Sequence, residues 1–165
     1  MSISCDFLVI GSGIAGLCFA IHAARYGTVV MITKKTRSES NTNHAQGGIA
    51  CVLAPHDSFE KHYEDTLVAG RGLCNEEAVQ IMVADGPARV GELMEWGVGF
   101  SAAEGDDNPY SLHLGKEGGH SANRIVHARD LTGKEVEGAL LRRIRSFRSI
   151  KLLENHVAVE LITSH

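Results

Sequence analysis

The sequence lacks several features that would assign it to particular classes of protein. No apolar run approaches the ~20 residues that a membrane-spanning helix needs. The N-terminus has no basic segment followed by an apolar stretch, so it does not resemble a secretory leader. A formal net charge of −4 gives no electrostatic reason to expect binding to nucleic acid. We therefore expect a protein that binds neither membranes nor nucleic acids.

The cysteines and histidines also form none of the usual framework or metal patterns. The four cysteines are scattered at Cys5, Cys18, Cys51 and Cys74, with no C-x-x-C pair. This pattern predicts reduced thiols in a cytoplasmic protein rather than disulfides or a zinc site. The nine histidines have no convincing metal-ligand spacing with a carboxylate, so we expect no metal site. No repeat or linker is present, and the sequence therefore predicts no domain boundary.

The first thirty-odd residues contain the strongest motif. Asp6–Ile10 is typical of a buried strand, and a glycine-rich turn follows at once in Gly11–Gly16. A helix is predicted over Leu17–Tyr26 and a second strand over Thr28–Ile32. Strand, G-x-G-x-x-G turn, helix and strand together form the βαβ unit that binds dinucleotides. The alternative, a glycine-rich turn in an ordinary α/β domain, leaves the spacing of the three glycines unexplained.

Each glycine of this fingerprint has a separate physical role. Gly11 allows the tight turn after the strand, and Gly13 lets the backbone approach a pyrophosphate without a Cβ in the way. Gly16 allows close packing of the helix on the sheet. The N–H groups and the dipole at the start of the helix then attract phosphate.

One position departs from the usual dinucleotide fingerprint. An acidic residue is expected roughly 20 residues after the glycines, where it binds a ribose hydroxyl. Here the second strand is followed by Thr33, Lys34 and Lys35. A threonine hydroxyl or a lysine must take this role, so the fingerprint alone leaves NAD and FAD both open.

The remainder of the chain predicts further helices and strands with long polar connections. A polar loop, Thr36–His44, leads to the adjacent Gly47 and Gly48, which either wrap a flat ligand or belong to a flexible surface loop. Helices are predicted over Ser58–Ala69, from Asn75 to Gly97 with a kink or division at Gly86-Pro87, and over Lys134–Ser146. Strands are predicted over Ile150–Glu154 and His156–Ile162. A turn is predicted at Asp106–Pro109.

A second group of polar residues lies between the long helix and the last one. His113, Glu117, His120, Arg124 and His127 crowd one segment without a helix or strand period. Loops carry a large share of binding residues, but a solvated polar loop has the same composition. From the residues alone, both interpretations stay open.

The predicted fold class is α/β, a Rossmann-like domain whose doubly wound parallel sheet is incomplete in this chain. Such a sheet needs more strands than the sequence offers. We therefore expect residues 1–165 to be the front of a longer protein.

Five motifs together resemble a known family, over essentially the whole chain. They are Gly11–Gly16, Ala45-Gln-Gly-Gly-Ile49, Glu64-Asp-Thr-Leu67, Glu117-Gly-Gly-His-Ser121 and Arg124–Gly133, in the same order. They resemble the flavoprotein family of L-aspartate oxidase and the flavin subunits of succinate dehydrogenase and fumarate reductase. The resemblance implies that the cofactor is FAD. It also implies that residues 1–165 are the N-terminal portion of an FAD-binding domain, with its capping and C-terminal helical domains outside this chain.

The resemblance also assigns residues to the cofactor. Ser12–Ala15 and Lys34 are expected at its adenosine and phosphate end, and Asn41–Gly48 around the flavin. With the fingerprint glycines, the candidate cofactor-binding residues are Gly11, Ser12, Gly13, Ile14, Ala15, Gly16, Lys34, Asn41, Thr42, Asn43, His44, Ala45, Gln46, Gly47 and Gly48. Relatives that bind FAD covalently have Ser-His-Thr where this chain has Ser40-Asn-Thr42, so the resemblance implies non-covalent FAD. His44 departs from the relatives and either tunes the flavin or points away.

The Leu112–Ser121 pattern resembles the L-aspartate oxidase branch of the family. There the glutamate matching Glu117 orients the substrate's amino group, and His120 is a candidate for a substrate carboxylate; both are the candidate catalytic residues. The implied reaction is oxidation of L-aspartate to iminoaspartate, which quinolinate synthase uses in NAD biosynthesis, with dioxygen or fumarate as acceptor. The catalytic arginine of the family is expected beyond His165. A soluble fumarate reductase and a non-catalytic nucleotide-binding fragment are the alternatives.

Overall fold

The computed structural model describes residues 2–103, 111–129 and 131–163. In chain order its elements are β1 (Phe7–Ile10), α1 (Ile14–Ala23), β2 (Val29–Thr33), α2 (Asn41–His44), β3 (Ile49–Ala50), α3 (Phe59–Gly70), α4 (Glu76–Glu95), β4 (Leu114–Gly115), β5 (Ile125–Val126), α5 (Thr132–Ile144) and β6 (Ile150–Glu154). The turn predicted at Asp106–Pro109 lies outside the described residues.

The chain divides into two compact units, although its sequence contains no linker. The first unit combines Met1–Ala45 with Gly133–His165, and the second is the intervening Gln46–Thr132. The second unit is thus inserted into the sequence of the first, which a search for linkers along the chain does not detect.

The first unit is built on a parallel sheet of order β1-β2-β6. Phe7 pairs with Val29, and Val29 pairs with Ile150 on its other side. The central strand β2 is buried on both faces, which explains its continuous apolar run of Val29, Val30 and Met31. This parallel α/β arrangement confirms the predicted fold class.

Two helices of the first unit bury one apolar face each. α1 follows β1 and packs on β1 and β2, with Leu17, Ala20 and Ile21 buried. In α5 the apolar residues Val136 and Leu140 are four apart, so they lie on one face, and both are buried.

The second unit consists of a small antiparallel sheet and a helical hairpin. The sheet has the order β3-β5-β4, and its core joins Cys51, Val90 and Val126. The helices α3 and α4 pack on each other. Between them, Arg71 and Gly72 adopt positive φ values of 47° and 83° and reverse the chain.

Two sequence predictions about individual elements are wrong in whole or in part. Of the kink or division predicted at Gly86-Pro87, the division is wrong, because α4 runs unbroken from Glu76 to Glu95. Its buried side chains, Val79, Val83, Val90 and Leu93, lie on both sides of the proline, and their burial holds the helix together where the local preference would divide it.

The second wrong prediction is the strand over His156–Ile162. The structure has no strand there, and Val157, Val159 and Ile162 are 68%, 93% and 89% exposed. Alternating hydrophobicity predicts a strand only where a neighbouring strand and a packed face exist. Here His156 bonds to Thr33 at the end of β2, but the residues after it form no strand within the described chain and their side chains are exposed.

The polar loop predicted over Thr36–His44 contains the short helix α2, capped by Ser40. The four cysteines, all among the described residues, are not joined in disulfides. Within the described part of the chain, no helix is long and apolar enough to cross a membrane.

Candidate functional site

The glycine turn has the geometry that its fingerprint predicts. Gly11 has a φ of 111°, a conformation that L-residues with a side chain rarely adopt. A Cβ on Gly16 would lie 2.3 Å from the carbonyl oxygen of Gly11, so only glycine allows the helix to approach the turn this closely. These two glycines serve the protein's own backbone.

Gly13 differs from the other two glycines of the turn. Its φ of −71° and ψ of 176° are open to any residue. A Cβ here would have one atom at 3.3 Å, the hydroxyl oxygen of Thr42. Neither backbone strain nor a severe clash therefore requires glycine at this position. The space that a Cβ would fill lies at the N-terminus of α1, where the helix attracts an anion.

A cavity of about 430 Å³ lies beside this turn. It is lined by Ile10, Gly11, Ser12, Gly13, Ile32, Thr33, Lys34, Glu39, Ser40, Asn41, Thr42, His156, Val157 and Ala158. The lining begins where the three parallel strands end, at Ile10, at Thr33 and just after Glu154. Ligands of open α/β sheets bind at this carboxyl edge.

Six of the predicted cofactor residues line the cavity: Gly11, Ser12, Gly13, Lys34, Asn41 and Thr42. Ile14, Ala15 and Gly16 form the first turn of α1 behind it. Asn43 and His44 complete α2 and Ala45 is its C-cap, and these three residues are not part of the cavity lining. The remaining candidates, Gln46, Gly47 and Gly48, belong to the second unit.

Sequence reasoning missed the segment His156–Ala158, which lines the same cavity. The backbone N–H of His156 donates to the carbonyl of Thr33 at 3.0 Å and fixes the segment beside β2. The signal that could have found it is its position, directly after a parallel strand, rather than its alternating pattern.

The structure favours Lys34 over Thr33 for the position usually held by an acid. Ser12 donates from its hydroxyl to that of Thr33 at 3.2 Å, and both side chains are buried, 2% and 6% exposed. Both residues line the cavity, but the threonine hydroxyl is engaged inside the protein, whereas the side chain of Lys34 is exposed.

Glu39 is a further residue of the cavity that sequence reasoning missed. Its carboxylate accepts a hydrogen bond from Lys35 at 3.3 Å and lies 3.7 Å from Nε2 of His44. The bond from Lys35, together with the lysine charge, lowers the pKa of Glu39. An ionised carboxylate therefore stands on the cavity wall at neutral pH.

In the second unit, Glu117 lies against the Gln-Gly-Gly segment. A Cβ on Gly47 would be 3.2 Å from Oε1 of Glu117. A Cβ on Gly48 would lie 2.3 Å from a methyl carbon of Ile125 and 2.4 Å from the carbonyl oxygen of Val126. Gly48 therefore lets this segment pack directly on β5, and the exposed carboxylate of Glu117 stands beside it.

His120 is half-buried and contacts a second histidine. Its ring meets that of His62 edge to face, with centroids 6.3 Å apart. Burial, and then the charge of Arg124, lower the pKa of His62, so this ring is neutral at pH 7. The buried Nδ1 of His120 has no hydrogen-bond partner within the described residues. An orphaned polar atom of this kind is a candidate contact for a ligand or water.

The loop that carries Glu117 and His120 is anchored at its end by Asp65. Oδ2 of Asp65 accepts bonds from the backbone N–H and the hydroxyl of Ser121, at 2.7 and 2.8 Å. Arg124 donates to the same oxygen at 2.7 Å. Burial works against the carboxylate, but the bonds from Ser121 and Arg124 outweigh it and lower the pKa of Asp65.

A parallel sheet, a G-x-G-x-x-G turn ahead of a helix and a cavity at the carboxyl edge define a dinucleotide-binding α/β protein. The family described as FAD binding domain matches residues 6–165, and the chain belongs to this family. Its cofactor is therefore FAD. The helix terminus and the space left by the missing Cβ of Gly13 fit the phosphates of such a group.

The chain is also similar to individual proteins. It is 51% identical to the chloroplastic L-aspartate oxidase of Oryza sativa subsp. japonica, covering 96% of this chain and 24% of that protein. It is 45% identical to the L-aspartate oxidase of Vibrio cholerae, covering 96% and 30%. The chain thus spans less than a third of the length of these relatives.

Solved structures of other proteins have a fold similar to that of this chain. A quinol fumarate reductase of E. coli has a TM-score of 0.85 and 31% identity, covering 93% of this chain and 26% of that one. Sdh1 of Mycobacterium smegmatis has a TM-score of 0.83 and 28% identity, covering 93% and 28%. The resemblance, the fold class and the cofactor predicted from the sequence are confirmed, whereas the roles of individual site residues stay predictions.

Proposed function

We propose that the full-length protein is an L-aspartate oxidase. It oxidises L-aspartate to iminoaspartate, with the substrate's α-hydrogen leaving as a hydride and a proton leaving its nitrogen. Bound FAD would supply the hydride acceptor, and its reoxidation would deliver two electrons, with two protons, to dioxygen, giving hydrogen peroxide, or to fumarate, giving succinate. This oxidation would be the first step of quinolinate and NAD biosynthesis, and quinolinate synthase would use its product.

The observation that carries this proposal is the carboxylate of Glu117 beside Gly47. An exposed carboxylate next to a glycine segment assigned to the flavin can pair with a substrate ammonium and orient the α-carbon. Two relatives with 51% and 45% identity are named L-aspartate oxidase. His120 is proposed to contact a substrate carboxylate through its unpartnered Nδ1.

A second candidate is a soluble fumarate reductase with non-covalent FAD. It is favoured by the fold similarity to quinol fumarate reductase, at a TM-score of 0.85. The identity of 31% to that structure is lower than the identity to the L-aspartate oxidases. Succinate and fumarate carry no ammonium group for Glu117 to bind, so the second candidate leaves this carboxylate without a role.

The test uses full-length protein loaded with FAD under anaerobic conditions. L-aspartate or succinate is added, and the flavin absorbance near its visible maximum is followed. We expect L-aspartate to bleach the flavin and succinate to leave it oxidised. Bleaching by succinate alone would overturn the proposal in favour of the fumarate reductase, and bleaching by neither would favour a nucleotide-binding module.

A further inference from the structure

Glu137 is a buried carboxyl group in the middle of α5, with 1% of its surface exposed. Burial raises its pKa, although the bond from Ser40 and the charge of His44 act against this, while the charge of Glu39 adds to it. Burying a carboxyl group costs free energy unless a partner compensates. A leucine would fill the same space without this cost, so the carboxyl group calls for a specific explanation.

The partner of Glu137 is the N-cap residue of α2. Ser40 donates from its hydroxyl to Oε1 of Glu137, and the same hydroxyl accepts from the backbone N–H of Asn43 at 3.3 Å. The serine hydroxyl has one proton, which it donates in the hydrogen bond to Glu137. The carboxyl group therefore orients the serine oxygen so that its lone pair caps α2.

One turn earlier on the same helix, Gly133 holds the other end of this segment. Its backbone N–H donates to the carbonyl of Ala45 at 3.0 Å. A Cβ on Gly133 would lie 1.8 Å from the carbonyl oxygen of Thr42. α5 thus holds the segment Ser40–Ala45 at both of its ends.

The same segment contacts the glycine turn. Oγ1 of Thr42 accepts from the backbone N–H of Ile14 at 3.1 Å, which places it at the start of α1. Ser40, Asn41 and Thr42 line the cavity. A shift of this segment would therefore move a wall of the cavity and change the hydrogen bonding at the helix terminus.

We propose that Glu137 is a positioning residue for FAD, which acts through Ser40 to hold Ser40–Ala45 in its binding conformation. It need not touch the cofactor. The proposal depends on FAD binding by this family and not on the proposed oxidation of L-aspartate. Its test can therefore fail or succeed whatever the substrate proves to be.

The test measures two quantities on full-length protein prepared without flavin: the Kd for added FAD, from the quenching of flavin fluorescence, and the melting temperature of the apoprotein. For Glu137→Leu we expect Kd to rise roughly tenfold or more, the order of one charge-assisted hydrogen bond. The melting temperature should change little, because the gain from no longer burying a carboxyl group offsets the loss of its bond from Ser40.

Three further variants make the test specific. Ser40→Ala should raise Kd about as much as Glu137→Leu, and Glu137→Gln should raise it less, because its amide oxygen still accepts from Ser40. Glu135→Gln makes the same change of charge on α5 at a residue paired with Arg142, and it should leave Kd unchanged.

The double variant Ser40→Ala with Glu137→Leu decides whether the two residues act together. If Glu137 acts through Ser40, the double variant should bind FAD about as well as either single variant. Losses that multiply would overturn the proposal, since the residues would then act independently. An unchanged Kd in Glu137→Leu, or a weaker Kd that only accompanies a large fall in melting temperature, would also overturn it.

Discussion

Arg124 and Asp57 form a bidentate ion pair, and both side chains are fully buried. Nε and Nη2 of Arg124 donate to the two carboxylate oxygens of Asp57 at 2.9 and 2.8 Å. The third nitrogen of the guanidinium bonds to Asp65, which also holds Ser121. The loop that carries Glu117 is therefore fastened to α3 through a network of buried charges.

Removing Arg124 should destabilise the protein strongly. In Arg124→Leu the carboxylate of Asp57 stays buried without its partner, and we expect a loss of about 3–5 kcal/mol in the free energy of unfolding. Urea denaturation of full-length protein, followed by circular dichroism, measures it. The matched control is Arg89→Leu, whose side chain is 58% exposed and pairs with Glu92 at the surface; it should cost about 1 kcal/mol or less. Equal losses would contradict a special role for the buried pair.

The sequence predicted the first part of the fold well because its signals there are local. The glycines at Gly11 and Gly16 are required by a backbone conformation and by a contact only a few residues away. The apolar run of β2 reflects burial on both faces. Elements that depend on distant partners were predicted less well. Alternation at His156–Ile162 indicated a strand, but in the described part of the chain the start of this segment only bonds to the end of β2, and its exposed remainder forms no strand.

The candidate site shows the same distinction. Residues assigned by motif, such as Gly13 and Thr42, meet at the cavity. Glu137 was predicted only as part of a helix, because its partner Ser40 is 97 residues away in sequence. The sequence identified Arg124 only as one of several polar residues in a segment. Its partners could not be identified, because Asp57 and Asp65 lie 67 and 59 residues away in sequence. No local pattern reveals such pairs.

Gly13→Val should abolish FAD binding and leave the fold intact. The backbone of Gly13 already has angles that valine accepts, so the added side chain mainly fills the space at the start of α1. Flavin content after purification and far-ultraviolet circular dichroism measure the two effects. The control is Gly91→Ala, where the added Cβ would meet no atom within 4 Å, and it should keep its flavin. Normal flavin content in Gly13→Val would contradict the prediction that this turn binds the phosphates of FAD.

Full-length protein should release its FAD on acid precipitation. By the resemblance of the sequence motifs, Asn41 takes the position at which members of the family that bind FAD covalently have a histidine, and an amide cannot form the same bond. After precipitation, we expect the yellow colour in the supernatant, where absorbance quantifies it. Asn41→His tests the position directly: a fraction of flavin that stays with the precipitated variant would support the assignment. Colour that remains with the unaltered protein would contradict non-covalent binding.

Cys51 should resist alkylation in the folded protein. Burial, and then the charge of Asp57, raise the pKa of its thiol to about 12. At pH 8 the reactive thiolate would be on the order of one molecule in ten thousand. Iodoacetamide labelling followed by mass spectrometry should modify the half-buried Cys5 before Cys51, and both at similar rates in denaturant. Equal labelling of the two cysteines in the folded protein would contradict the burial of Cys51.

Glu117→Gln should separate the two candidate enzymes. The substitution keeps the shape of the side chain and removes its charge, which L-aspartate needs for its ammonium and which succinate and fumarate do not. A charge-assisted hydrogen bond contributes about 1.5–3 kcal/mol. Its loss corresponds to a roughly 10- to 150-fold fall in kcat/KM for L-aspartate. Fumarate reduction by the same preparation should fall much less.

A purely structural role for Glu117 would give a different result. The backbone carbonyl of Glu117 accepts from the N–H of His120 at 3.2 Å, so the residue also belongs to a turn. If shaping this turn were its only role, both activities and the melting temperature would fall together. The control Glu95→Gln, at the exposed end of α4, should change none of the three. An equal loss of both activities in Glu117→Gln, with the control unaffected, would refute the substrate-orienting role. It would also remove the contact that favours L-aspartate over fumarate, because the carboxylate of Glu117 beside Gly47 is the observation on which that preference rests.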